Sequence, residues 1–273
     1  MAAFRTMEPG DKPALVAFLE ETTGHNLYLR SRLDAPADGR GFLYHEDDVL
    51  RGFVWLGRGQ NLVFAGEEPL FLQELAGFAL RHEASWLMVA GLREATSRLL
   101  EIYLRLSRRR PRIDRIQGFY RQTAETLPPL TEPGLVPATP EDLEEATAAA
   151  VRMSAEDFDL EPGTIDREGV RRTTERKIRE GRCFVYREGG NLVFKADLAV
   201  RSPRGGQVEG VFTSPEERGR GIASRCLAEL GRRLLADCPF LCLHVAERNR
   251  PARRAYENAG FRRGAALRLA IMA

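Results

Sequence analysis

Lysine is almost missing from this chain: Lys12, Lys177 and Lys195 are the only three, and arginine supplies the rest of the positive charge. We read that scarcity as a compositional bias of the coding sequence, without functional weight. Long apolar runs are missing too. A membrane-spanning helix needs about 18 or more consecutive apolar residues, and no such run occurs. The first residues meet charge at Arg5, Glu8 and Asp11 and lack the apolar core of a signal peptide, so a cytoplasmic location is expected. Cysteine is limited to Cys183, Cys226, Cys238 and Cys242, with no paired Cys-x-x-Cys knuckle. They read as reduced core thiols. His25, His45, His82 and His244 have no metal-ligand spacing, so no metal site is expected. With 41 basic and 39 acidic residues the net charge is only +2, which gives no global field for nucleic acid. The strongest basic cluster, Arg108-Arg109-Arg110-Pro111-Arg112, has no interleaved aromatics for base stacking and reads as a solvated loop.

What is present is an α/β pattern stated twice. The chain is 273 residues long, enough for two domains of ordinary size. Prolines 128, 129, 133, 137 and 140 with Gly134 deny both helix and central strand, so the stretch 133–140 reads as a semi-rigid linker. Before it, strand-like runs at 41–45, 49–56, 61–64 and 85–90 mix with helical periods at 70–81 and 93–106. After it, helices are predicted over 143–151, 164–179, 222–236 and 251–258, and strands over 183–187, 192–200, 208–213, 240–245 and 265–272. Gly189-Gly190 is a two-residue hairpin signal. Asn61-Leu62-Val63-Phe64 and Asn191-Leu192-Val193-Phe194 are identical tetrapeptides. Together with the matching element order they point to an ancient duplication. Lys195, inside a predicted strand, reads as a partly exposed side chain.

The strongest signal is Val208-Glu209-Gly210-Val211-Phe212-Thr213-Ser214-Pro215-Glu216-Glu217-Arg218-Gly219-Arg220-Gly221-Ile222-Ala223. It reads as strand, Pro-containing turn, glycine-rich turn and helix start. A helix N-terminus leaves backbone N–H groups unpaired and carries partial positive charge, which suits a pyrophosphate. Gly219 and Gly221 remove side chains that would obstruct it, Ala223 keeps the first turn small, and Arg218 and Arg220 add charge. No Gly-Lys-Ser/Thr follows, and the third glycine of a dinucleotide fingerprint is missing.

A second segment runs from Asn249 to Phe261. Asn249 can cap its helix, Pro251 is tolerated in the first turn and Gly260 can close it. Ala252, Ala255, Tyr256 and Ala259 share one face, whose small residues let the helix approach a sheet or a ligand. For a base, two candidates stand: Glu209, on the strand entering the turn and by period two on the side of Val211 and Thr213, and His244, which titrates near neutrality.

Both segments resemble the GNAT superfamily of acetyltransferases. Arg218-x-x-Gly221-x-Ala223 is similar to its Arg/Gln-x-x-Gly-x-Gly/Ala signature, and Asn249 to Phe261 to its Asn-x-x-Ala-x-x-x-Tyr-x-x-x-Gly-Phe segment. The resemblance implies two tandem domains of mixed α/β class, each a mostly antiparallel sheet flanked by helices. Residues 1–132 would be a divergent, non-catalytic domain and 141–273 the catalytic one, as in a group of bacterial two-domain GNAT proteins. Acetyl-CoA would be the cosubstrate, with Val211, Phe212 and Thr213 facing the pantetheine arm and acetyl carbonyl. Arg218, Gly219, Arg220, Gly221, Ile222, Ala223, Ser224 and Asn249 would complete its site. Tyr256 would protonate the leaving thiolate, with Glu209 as base. The partner would be a small-molecule or protein amine, and the protein a monomer or homodimer. A binding protein without turnover and a mycothiol-synthase-like tandem enzyme are the alternatives. The first half has Glu67-Glu68-Pro69 where an anion site would want positive charge, so CoA is not expected there in the same way.

Overall fold

The computed structural model describes residues 3–20, 24–34, 38–129 and 134–273. Contacts divide the chain into two units: Met1–Phe119 with Ala246–Arg248 and Gly264–Ala273, and Tyr120–Val245 with Asn249–Arg263.

The first unit begins with β1 (Ala3–Thr6), α1 (Lys12–Glu20) and α2 (Leu27–Arg32). An antiparallel meander follows: β2 (Gly39–Glu46), β3 (Val49–Gly57) and β4 (Asn61–Ala65). Positive φ at Asp47 (48°) and Asp48 (63°) supplies the hairpin turn between β2 and β3. Then α3 (Pro69–Arg81) crosses to β5 (Met88–Leu92), which is parallel to β4. β3 is buried on both faces: Phe53 and Trp55 join Leu15 and Leu29, whereas Val54 and Leu56 join Phe71, Leu75 and Leu99. Next come α4 (Arg93–Leu106) and β6 (Pro111–Gln122), whose residues 111–119 group with this unit and 120–122 with the second. The basic cluster expected to be solvated is partly packed. Arg109 lies 4.8 Å over the Trp86 ring and donates to the carbonyls of Glu83 and Trp86, each at 3.0 Å.

The second unit contains β7 (Val136–Pro137), α5 (Leu143–Phe158), α6 (Arg167–Arg179), β8 (Cys183–Glu188), β9 (Asn191–Ser202) and β10 (Gly205–Thr213). Then follow α7 (Ile222–Leu234), β11 (Leu241–Ala246) and α8 (Arg250–Asn258). β7 to β10 are antiparallel neighbours in sequence order, and β11 is parallel to β10. Within the proline-rich stretch, residues 130–133 lie outside the described residues, and Val136–Pro137 form β7. Gly189 and Gly190 have φ of 55° and 85°, as the predicted hairpin requires. Thr139 and Asp142 bond each other's backbone ahead of α5, and Asp166 caps α6 through the N–H of Gly169 at 2.9 Å. One sheet face packs on α5 and α6 through Leu143, Ala146, Ile178 and Cys183. The other packs on α7 and α8 through Phe194, Leu198, Val208, Leu227, Leu230 and Tyr256.

The last strand, β12 (Arg262–Met272), runs antiparallel to β5, with Leu267 opposite Leu92 and Ile271 opposite Met88. Element order repeats: β2, β3, β4, α3, β5, α4, β6 matches β8, β9, β10, α7, β11, α8, β12. The shared tetrapeptide does not follow that repeat. Asn61 opens β4, the counterpart of β10, whereas Asn191 opens β9, the counterpart of β3.

Candidate active site

The site is built where β10 leaves β11. Their parallel register joins Gly206 to Leu241 and Gln207 to Cys242, and beyond Gln207 no further β10–β11 pair occurs among the described residues. The cause lies in β10 itself. Glu209 opposes Asp197 and Phe212 opposes Lys195, so three steps along β10 match two along β9. The extra residue is a β-bulge, and Gly210, at φ 61°, takes its left-handed position. A bulge bends the strand, and Val211, Phe212 and Thr213 lie on the stretch of β10 that β11 does not pair.

It also corrects the period-two reading of Glu209. Val211 packs with the α7–α8 cluster, as Val208 does. Glu209 faces the opposite side with Asp197, and its Oε1 lies 2.6 Å from Lys177 Nζ on α6. His244, half-buried on β11, alternates with Leu243 and Val245 of the α7–α8 cluster, so it belongs to the same face as Glu209.

At the end of β10, Pro215–Glu217 form one tight helical turn, and Gly219 (φ 82°) and Gly221 (φ 75°) swing the backbone into α7. No side chain caps α7 at Gly221, and a Cβ on Gly219 would meet nothing within 4 Å. Amide donors at the first turn of a helix, cleared of side chains, fit a diphosphate. Ile222 is buried in the core, Ala223 packs against it, and Ser224 is half-buried. The arginines are more engaged than the sequence predicts. Arg218 pairs with Glu156 at 2.8 Å and donates from Nε to the Thr213 carbonyl at 3.1 Å. Arg220 pairs with Glu188 at 2.9 Å and with Glu217. Arg218 thus braces the turn against α5.

Asn249 caps α8, accepting from the Ala252 N–H at 3.1 Å. Tyr256 is 7% exposed, within the α7–α8 cluster beside Phe261. Burial, with a smaller contribution from the charge of Asp157, raises the phenol well above its usual range. It therefore stays protonated at neutral pH, the state a proton donor needs. Asp157 stands at the end of α5.

Lys195 differs most from expectation. It is fully buried, and its Nζ donates to Asp197 Oδ2 at 2.6 Å. The Asp197 carboxylate also accepts from Lys177 Nζ at 2.9 Å. Burial alone would raise its pKa, but the two ammonium groups outweigh it and hold the carboxyl below its ordinary value.

In the first unit, a cavity of about 500 Å³ lies against the ends of β4 and β5, lined in part by Phe18, Phe64, Gly66, Glu67, Glu68 and Leu92. There, α3 starts at Pro69, which has no N–H, and the two residues before it are the acidic Glu67 and Glu68.

A sheet parted at a bulged strand, followed by a glycine turn into a helix, defines this second unit as a GNAT-like α/β fold. A profile of the acetyltransferase (GNAT) family matches residues 150–261, and that segment is a domain of this family. Several solved structures share the fold over the full length. A GNAT-family acetyltransferase from Colwellia psychrerythraea is 16% identical, with 98% of this chain and 99% of that one covered at a TM-score of 0.62. A GCN5-related N-acetyltransferase from Sphaerobacter thermophilus is 19% identical, with coverages of 98% and 94% and a TM-score of 0.66. A tandem GNAT protein from the clavulanic acid biosynthesis pathway is 13% identical, with coverages of 100% and 98% and a TM-score of 0.58. At these identities the likeness is one of fold. A search of curated proteins finds no match.

Proposed function

We propose that this protein is an N-acetyltransferase that moves an acetyl group from acetyl-CoA to an amine by direct attack in a ternary complex. One observation carries the reading: β10 pairs with β11 only as far as Gln207 and, past the Gly210 bulge, leads through a turn with glycines at 219 and 221 into the N-terminus of α7. The turn would hold the diphosphate through the amides of Gly219, Gly221, Ile222, Ala223 and Ser224. The stretch Val211, Phe212 and Thr213, which β11 leaves unpaired, would carry the pantetheine arm. Acetyl-CoA supplies the acyl group as a thioester, and its thiol is already a fair leaving group. Glu209 takes the proton that the amine must lose, and the Tyr256 hydroxyl gives one to the departing sulfur. The first unit is non-catalytic in this reading, since its corresponding turn carries Glu67 and Glu68.

Tyr256→Phe tests the assignment. It removes the donated proton while keeping the ring in its apolar seat. Proton donors of this kind contribute ~10²–10⁴-fold. We expect kcat to fall by at least ~10²-fold in an acetyl-CoA/amine assay, with the acetyl-CoA Kd unchanged. Unchanged kcat would remove Tyr256 from the chemistry.

A further inference from the structure

Two of the chain's three lysines converge on one carboxylate. Along the α5–α6 face of the second unit, the charges alternate from the core outward. Lys195, on β9, is fully buried; Asp197, two residues on, has a side chain 5% exposed; Lys177, from α6, is 13% exposed; Glu209, on β10, is 42% exposed. The successive contacts are 2.6 Å, 2.9 Å and 2.6 Å. The three inner groups carry two positive charges and one negative. The buried set is therefore left with one unmatched positive charge, and the Glu209 carboxylate is the group that meets it.

The same aspartate touches the bulge. A Cβ built on Gly210 would lie 2.7 Å from Asp197 Oδ2. Asp197 thus occupies the space a side chain at 210 would need, and the bulge and the charge row fit each other only because residue 210 is glycine. An ammonium group is a compact donor with three N–H bonds, so Lys177 can hold Asp197 and Glu209 at once. Three carboxylates of α5 pair away from this row: Glu144 with Arg167 and Arg171, Glu145 with Arg187, and Glu156 with Arg218.

We propose that Lys177 and Asp197 are positioning residues that aim the Glu209 carboxylate into the opening between β10 and β11. The proposal rests on Glu209 being the base. Lys177 grips the carboxylate through Oε1. Asp197 fixes Lys177, and Lys195 fixes Asp197.

A double-mutant cycle in the full-length protein tests it, reading kcat for amine acetylation and Kd for acetyl-CoA. Lys177→Met is expected to lower kcat on the order of tenfold, as a misplaced catalytic group does, with Kd unchanged. In a Glu209→Gln background, Lys177→Met is expected to have no further effect on kcat. If Lys177→Met does not fold, Lys177→Gln keeps a donor toward Asp197 and serves in its place. An equal effect of the Lys177 change with and without Glu209 overturns the positioning role, since an effect exerted through the Glu209 carboxylate disappears once that carboxylate is gone. So does an undiminished kcat in the Lys177 variant. Wild-type kcat in Glu209→Gln alone overturns the base assignment and the positioning role with it; the two failures are distinguished by that single variant.

Discussion

Asp197 shows what one buried carboxylate does here and how its contribution depends on pH. In the unfolded chain an aspartate titrates at about 3.9; in the folded protein Lys195 and Lys177 hold it lower, against the opposing effect of burial. A depressed folded pKa means stability that is present above the unfolded value and lost as pH falls through the folded one. Asp197→Asn leaves the Lys195 ammonium, 0% exposed, without its carboxylate. Breaking a buried pair on one side costs about 3–5 kcal/mol. Denaturant titrations are expected to show that loss at pH 7, and to show the gap between wild type and variant narrowing below about pH 4. An equal gap at both pH values would contradict it. Part of this was legible in the sequence. Residues two apart in a strand share a face, so Lys195 and Asp197 form a natural pair. That they face inward was not legible, because the burial comes from α6, whose Lys177 no local pattern ties to β9.

At the scale of elements, the sequence carried most of the second unit. Glycine pairs, caps and apolar stripes set the ends of β8, α7 and α8 to within a residue or two. What it did not carry had weak local signals. β6 begins with the polar, half-exposed run 111–116, which has the charge of a loop. β1 and α2 are only four and six residues long, and their place is set by tertiary packing. The bulge had a signal in Gly210, since an isolated glycine in a strand often marks one. Period two without that bulge places Glu209 on the face of Val211, which the extra residue reverses. The turn at 218–221 was legible in its glycines, but the carboxylates that meet Arg218 and Arg220 come from α5 and β8. For Gly221 the account is specific. At φ 75° a substituent is strained, by roughly 1–2 kcal/mol for a left-handed residue, and its Cβ would come within 3.3 Å of Arg225. Gly221→Trp is expected to abolish acetyl-CoA binding in isothermal titration while the far-ultraviolet spectrum stays helical. Unchanged binding would remove the diphosphate from this turn.

The whole molecule is two copies of one element order in which the last strand, β12, pairs with β5 of the first unit. The repeated element order is legible in the sequence but that pairing is not, since β12 follows α8 directly and nothing in its residues names a distant partner. The family match at 150–261 lies within the part of the chain that the glycine turn and the Tyr256 segment had marked. The functional reading therefore falls on the second unit, and it depends on where acetyl-CoA binds. A crystal structure of the full-length protein with acetyl-CoA tests this most directly. The account predicts the diphosphate within hydrogen-bond distance of the amides at 219–223, and the thioester in the opening beyond Gln207 with the Tyr256 hydroxyl beside its sulfur. Acetyl-CoA bound in the first unit instead, with the turn at 218–221 closed by its own side chains, would contradict it.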